Sequence, residues 1–181
     1  MDMKHAYLII AHNEPEILKR LLNLLDDQRN DIYLHVDKKS EALYNLFKVH
    51  SLRLSRLYVL EDRVNIKWGD VSQIKAELLL FEKAVRNERY AYLHLISGVD
   101  FPIKTQDYIH EFFNSNIGYE FVGFVSNTNK IEERATKVHL FTRYLKVSNK
   151  YLFYLTSNVR CFFLKFQHYF NITINKGVLF Q

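Results

Sequence analysis

The sequence is poor in the residues that punctuate or cross-link a chain: one cysteine, two prolines and five glycines in 181 residues. A lone Cys161 excludes an internal disulfide, and cysteine usage gives no sign of an oxidising compartment. So little Pro and Gly leaves no room for long linkers, and 48% hydrophobic with 25% charged residues is the composition of a folded chain. Asp-x-Asp is absent, so the usual two-carboxylate hold on a metal-diphosphate is missing. No His, Cys or acid pair has zinc-site spacing, and no metal or other cofactor is expected. Long apolar runs are lacking too. Ala6–Ala11 is too short for a signal-peptide core or a membrane span, and Arg160 and Lys165 interrupt the run from Tyr151 to Phe170. The expectation is a cytoplasmic chain, peripheral at a membrane if it meets one at all.

Acid is missing from one end. Residues 1–133 carry 17 Lys/Arg and all 20 Asp/Glu, whereas residues 134–181 carry eight Lys/Arg and no acid. The net charge of +5 therefore belongs to the C-terminal quarter.

What is present is alternation. Buried-strand patterns at Ala6–Ala11, Ile32–Val36, Leu57–Leu60, Tyr90–Ile96 and Phe121–Val125 are separated by helical patterns. The first helix starts at Asn13-Glu14-Pro15-Glu16, with Asn13 as the expected cap, and continues through Ile17, Leu18, Leu21, Leu22 and Leu25. Leu43, Leu46 and Phe47 mark the second helix. Val71, Ile74, Leu78, Phe81 and Val85 form the apolar stripe of the third, and Tyr108, Ile109, Phe112 and Phe113 that of the fourth. Strands alternating with single helices predict an α/β fold with a mostly parallel sheet covered on both faces. Two regions are expected: residues 1–126 as a nucleotide-binding subdomain, and residues 127–181 as a basic, aromatic, partly helical acceptor-side region.

Such sheets bind ligands beyond the C-terminal ends of their strands. The candidates there are His12-Asn13, Asp37-Lys38-Lys39, Glu61-Asp62-Arg63, Ser97 to Asp100, and Ser126 onward. Asp37 stands where an acid can accept ribose hydroxyls, although capping its own turn explains it equally. The first turn, Ala11-His12-Asn13-Glu14-Pro15, has no Gly, and Glu14 and Glu16 repel phosphate. That argues against a dinucleotide enzyme. Asp100, held between Gly98 and Pro102, is a second candidate ligand group. His35 and His94 lie inside apolar strands and read as buried, hydrogen-bonded histidines.

Residues 137–170 interleave Lys137, His139, Arg143, Lys146, Lys150, Arg160, Lys165 and His168 with Phe, Tyr and Leu. Three readings stand: a helix packing on other protein, a basic surface against anionic lipid, and nucleic-acid binding. No nucleic-acid motif supports the third.

Four segments in order resemble the Core-2/I-branching glycosyltransferases, a family that includes the protein xylosyltransferases. They are Ala6–His12 with Leu18 to Leu22; Ile32–Ser40; Arg63–Gly69 with Ser72; and Leu95–Lys104. The likeness covers residues 4–140 well and the remainder loosely. It implies a GT-A type (Rossmann-like) fold and inverting, metal-independent transfer of N-acetylglucosamine or xylose from a UDP-sugar to a glycan acceptor, in surface polysaccharide synthesis. It places Ile10, Ala11, His12, Asp37, Lys38, Lys39, Trp68 and Asp100 against the nucleotide, and Lys130, Glu133 and Arg134 against the acceptor. The family's nucleotide-contacting Tyr falls near Ile66, a departure. The family's catalytic base and cationic diphosphate clamp are expected beyond Gln181, so no catalytic residue is assigned. This stretch alone is expected to self-associate and to turn over negligibly. Two other classes remain open: a non-catalytic nucleotide-binding module, and a basic membrane- or nucleic-acid-binding α/β protein.

Overall fold

The computed structural model describes residues 4–67, 69–123, 136–144 and 148–174. The chain divides into two compact units, residues 1–67 with 71–119 and residues 68–70 with 120–181.

The first unit alternates strand and helix: β1 His5–Ala11, α1 Pro15–Leu24, β2 Asn30–Val36, α2 Glu41–Lys48, β3 Arg56–Val59, α3 Ser72–Asn87, β4 Tyr92–Ser97 and α4 Gln106–Asn114. The strands form one sheet in the order β3-β2-β1-β4, with every pairing parallel. Tyr7 of β1 lies opposite Ile32 of β2 and His94 of β4. This is the expected α/β class. β1 and β2 are apolar on both sides because both faces are covered. Tyr7, Ile9, Ile32, Leu34 and Val36 pack with Leu18, Leu21 and Leu22 of α1 and with Leu43, Tyr44 and Phe47 of α2. Ala6, Leu8 and Tyr33 pack with Leu80 and Ala84 of α3.

Several local expectations are corrected. Asn13 does not cap α1. Glu14 does, in the left-handed region at φ 54°, with no side-chain cap bond. The following Pro15 keeps its predecessor out of the right-handed helix. In α2, Leu46 faces solvent and Tyr44 is buried in its place, with the Arg63 guanidinium 3.8 Å from the ring centre. In α3 most of the expected apolar stripe faces solvent, and of its five residues only Phe81 packs against the core, half-buried. Val71, Ile74, Leu78 and Val85 are exposed, Leu78 by 61%, while Ser72, Ala76, Leu80 and Ala84 are buried. Small side chains at three of these four positions, Ser72, Ala76 and Ala84, let the helix lie close against the sheet, with Leu80 filling the space between. β4 begins at Tyr92 rather than Tyr90, whose hydroxyl instead joins Asp31 at 2.9 Å and the Tyr33 hydroxyl at 2.8 Å. Phe121–Gly123 form no strand, and the rest of that expected fifth strand lies outside the described residues.

The start of β2 is tied to α4 through Asn30, which is fully buried. Its amide donates to the Leu25 carbonyl at 2.9 Å and to Gln106 Oε1 at 2.8 Å, and its oxygen pairs with His110 Nε2 at 2.9 Å. His5 stacks on His110 at 4.1 Å, and its Nδ1 meets His94 Nε2 at 3.1 Å. His94 is thus hydrogen-bonded within the sheet, as its apolar setting implied.

In the second unit, Thr142–Tyr144 form a 3-10 turn, and α5 runs from Lys150 to Tyr169. Asn149 caps α5 by accepting the amide hydrogens of Tyr151 and Leu152. Gln167 is buried and pairs with both the N–H and the carbonyl of Val138 at 2.9 Å. Among the described residues no helix is long and apolar enough to cross a membrane.

The histidine stack makes stability depend on pH. Burial first, and then the repulsion a charged ring would meet from His110, His94 and Arg29, lower His5 from 6.5 to about 3; burial and the same repulsion from His110 lower His94 to about 4. Both rings are neutral in the fold. Below pH 6.5 the unfolded chain takes up protons that the fold refuses. The stabilisation is therefore complete above pH 6.5 and is lost as pH falls toward 4, by up to about 1.4 kcal/mol per pH unit for each ring. Urea unfolding at pH 7 and pH 5 should show this loss, and His5→Gln should reduce it.

Candidate functional site

The ends of β1, β2 and β4 converge through backbone bonds. The Asp37 amide donates to the Ala11 carbonyl at 2.8 Å, one rung beyond β2. The Gly98 amide donates to the Ile10 carbonyl at 2.8 Å, one rung beyond β4. The Ser40 hydroxyl donates to the His12 carbonyl and closes the first loop onto the second.

Asp37 is 4% exposed. Its Oδ1 accepts the Lys39 amide hydrogen at 3.0 Å, and the Lys39 ammonium stands 3.4 Å from Oδ2. The same ammonium donates to the Ile66 carbonyl at 2.6 Å. Asp37 therefore closes its own turn, and the bonds that do so also hold the carboxylate in one orientation at a strand end. The two sequence explanations for it are compatible.

A third segment, residues 62–67, lies against this loop without regular secondary structure. The Lys38 amide donates to the Val64 carbonyl at 3.1 Å, and the Val64 amide donates to His35 Nε2 at 2.9 Å. Arg63 pairs with Glu41 at 2.6 Å. Burial first, and then Arg63, lower the His35 pKa against the opposing pull of Asp37, so Nε2 remains an acceptor at neutral pH. The burial and hydrogen bonding expected of His35 are present. Its tie to residue 64 had no signal in the sequence beyond the neighbouring Arg63–Gly69 segment.

The remaining candidates divide. Ala11 is buried, and the Ile10 and Ala11 carbonyls are engaged in the sheet, so of the candidates Ile10, Ala11 and His12 it is His12 whose side chain is exposed. Lys38 is exposed beside Asp37. Asp100 closes its own turn by accepting the Ser97 amide hydrogen at 2.8 Å. It also borders an apolar cavity of about 290 Å³ with Tyr7, His94, Ile96, Phe101 and Phe112. Trp68, Lys130, Glu133 and Arg134 lie outside the described residues. Among the described residues no three His, Cys, Asp or Glu side chains are grouped to hold a metal ion.

The Core-2/I-branching enzyme family model matches residues 5–173. The chain belongs to that family. Membership links it to glycosyltransferases. It is 31% identical over 102 residues to the Bos taurus beta-1,3-galactosyl-O-glycosyl-glycoprotein beta-1,6-N-acetylglucosaminyltransferase, covering 55% of this chain and 24% of that protein. The Homo sapiens protein of the same name is 32% identical over 103 residues, with the same coverage. Xylosyltransferase oxt of Drosophila melanogaster is 28% identical over 104 residues, 57% of this chain and 12% of that protein. The matched stretch thus spans a quarter or less of these Core-2/I-branching relatives.

Gly98 shows how tightly the loops are set. A Cβ there would lie 2.8 Å from Ala11 Cβ and 3.3 Å from Ala11 Cα, whereas one at Gly123 meets nothing within 4 Å. Denaturant unfolding should show Gly98→Ala destabilised by about 1–3 kcal/mol, with Gly123→Ala within about 0.5 kcal/mol of the parent.

Proposed function

We propose that the strand-end cluster around Asp37 binds the UDP part of a nucleotide-sugar donor, for inverting transfer of N-acetylglucosamine or xylose to a glycan acceptor without a bound metal. The observation that carries this reading is the Asp37 carboxylate, almost fully buried and held in place at the end of β2, with His12 and Lys38 exposed beside it. A fixed carboxylate at that position suits ribose hydroxyls. Lys38 offers positive charge toward a diphosphate. The absence of Asp-x-Asp supports a donor held without a metal. Inversion at the anomeric carbon is a single displacement, in which a base takes the acceptor proton in line with departing UDP.

Calorimetry with UDP, with and without EDTA, tests the reading. Binding should survive chelation. Asp37→Asn should weaken it by about 10- to 100-fold, the scale of a hydrogen bond to a charged group. Binding lost with EDTA, or unchanged in Asp37→Asn, would count against it.

A second reading concerns α5. Tyr151, Tyr154, Phe162 and Tyr169 are exposed on a helix that carries Lys150, Arg160 and Lys165 and no acid. We propose that this helix rests peripherally on anionic lipid. Each cation near such a surface contributes about 1 kcal/mol, screened by salt. Co-sedimentation with phosphatidylserine-containing vesicles should fall as salt rises. Equal binding to neutral vesicles would overturn the electrostatic part.

A further inference from the structure

We propose that His35 is a positioning residue for the nucleotide site, holding the 62–67 segment against the Asp37 loop through the bond from the Val64 amide to Nε2. The inference rests on the reading of that loop as the UDP site.

The segment belongs to no strand or helix, so no ladder fixes it. It is held by individual bonds. Lys38 and Lys39 reach the Val64 and Ile66 carbonyls, Arg63 reaches Glu41, and His35 takes the Val64 amide hydrogen at 2.9 Å, while from α3 Lys83 pairs with Asp62 and the Ser72 hydroxyl accepts the Lys67 amide hydrogen at the two ends of the segment. The first two come from the exposed lysine loop. His35 differs because it belongs to β2 and is fully buried. It sits two residues before Asp37, on the same side of the strand. One strand end thus presents a fixed carboxylate and, just below it, a fixed acceptor for the neighbouring segment.

The ring's chemistry supports the assignment. Nε2 accepts, so the proton of the neutral ring is on Nδ1. Nδ1 is buried without a hydrogen-bond partner. Such an orphan costs about 1–3 kcal/mol. A leucine would avoid that cost, but it would leave the Val64 amide without its acceptor. The local gain from histidine is therefore the Nε2 bond. Glutamine, whose carbonyl oxygen can reach a similar position, should replace it.

The test uses the whole chain with His35→Leu and His35→Gln, and two readouts. The first is Val64 amide hydrogen exchange at neutral pH without ligand, with the β1 amides as a control for folding. The second is UDP affinity. In His35→Leu, Val64 exchange should accelerate about tenfold or more while β1 stays protected, and UDP affinity should fall about tenfold, the scale of one lost hydrogen bond. His35→Gln should keep both close to the parent. Unchanged Val64 exchange in His35→Leu overturns the inference. If His35→Leu does not fold, the parent chain decides: a Val64 amide that exchanges as fast as an unprotected loop amide while β1 stays protected has no stable bond to His35 and overturns the inference. A parent chain that does not bind UDP defeats the nucleotide reading instead, and Val64 exchange still judges the role of His35 in placing the segment.

Discussion

The last two residues of β1 offer two carbonyls, and both are taken by the neighbouring strands' loops. Ala11 accepts from Asp37 and Ile10 accepts from Gly98. Each bond extends a parallel ladder one step past its strand, so the β2 and β4 loops leave the sheet from adjacent points. Everything at the proposed donor site inherits its position from that row. Asp37 cannot shift without breaking the β1–β2 ladder. The β4 loop comes so close to Ala11 that only a residue without a side chain fits at position 98.

A consequence concerns charge. The Lys39 ammonium is shared between the Asp37 carboxylate and the Ile66 carbonyl, so its charge serves the protein itself. Lys38, one residue earlier, carries no such duty among the described contacts. Adjacent lysines thus divide the work, one shaping the loop and the other facing outward. A pyrophosphate carries more negative charge than one exposed ammonium offsets. Further cations are therefore part of what the proposed chemistry requires.

Strands were legible because β1 and β2 are buried on both faces, which leaves continuous apolar runs such as Ala6–Ala11 and Ile32–Val36. The place of Asp37 at a strand end was legible because the apolar run of β2 stops at Val36. The helix faces were harder. Period alone identifies α3 as a helix, but both sides of it carry apolar residues. The buried side is the one with alanines, because close approach to the sheet favours small side chains over a larger apolar stripe. Asn13 looked like a cap until the backbone restriction imposed by Pro15 placed Glu14 there instead. The His35–Val64 bond was illegible because it joins a strand to an aperiodic segment 29 residues away, and no local pattern records such a partner.

The strand order has a bearing on how the chain is made. β1, the first strand of this sheet to be synthesised, occupies an interior place in it, while the partner for its other edge, β4, is the last strand of the unit. β1, β2 and β3 can associate early, yet the β4-facing edge of β1 must wait for nearly the whole unit to be synthesised. Until then an apolar strand keeps a free row of amides and carbonyls, the surface on which chains pair wrongly with one another. Closing the β1–β4 pairing is a long-range, parallel event of the kind that slows folding. Nascent chains interrupted before Ser97 should therefore be the ones that depend most on holding factors in the cell.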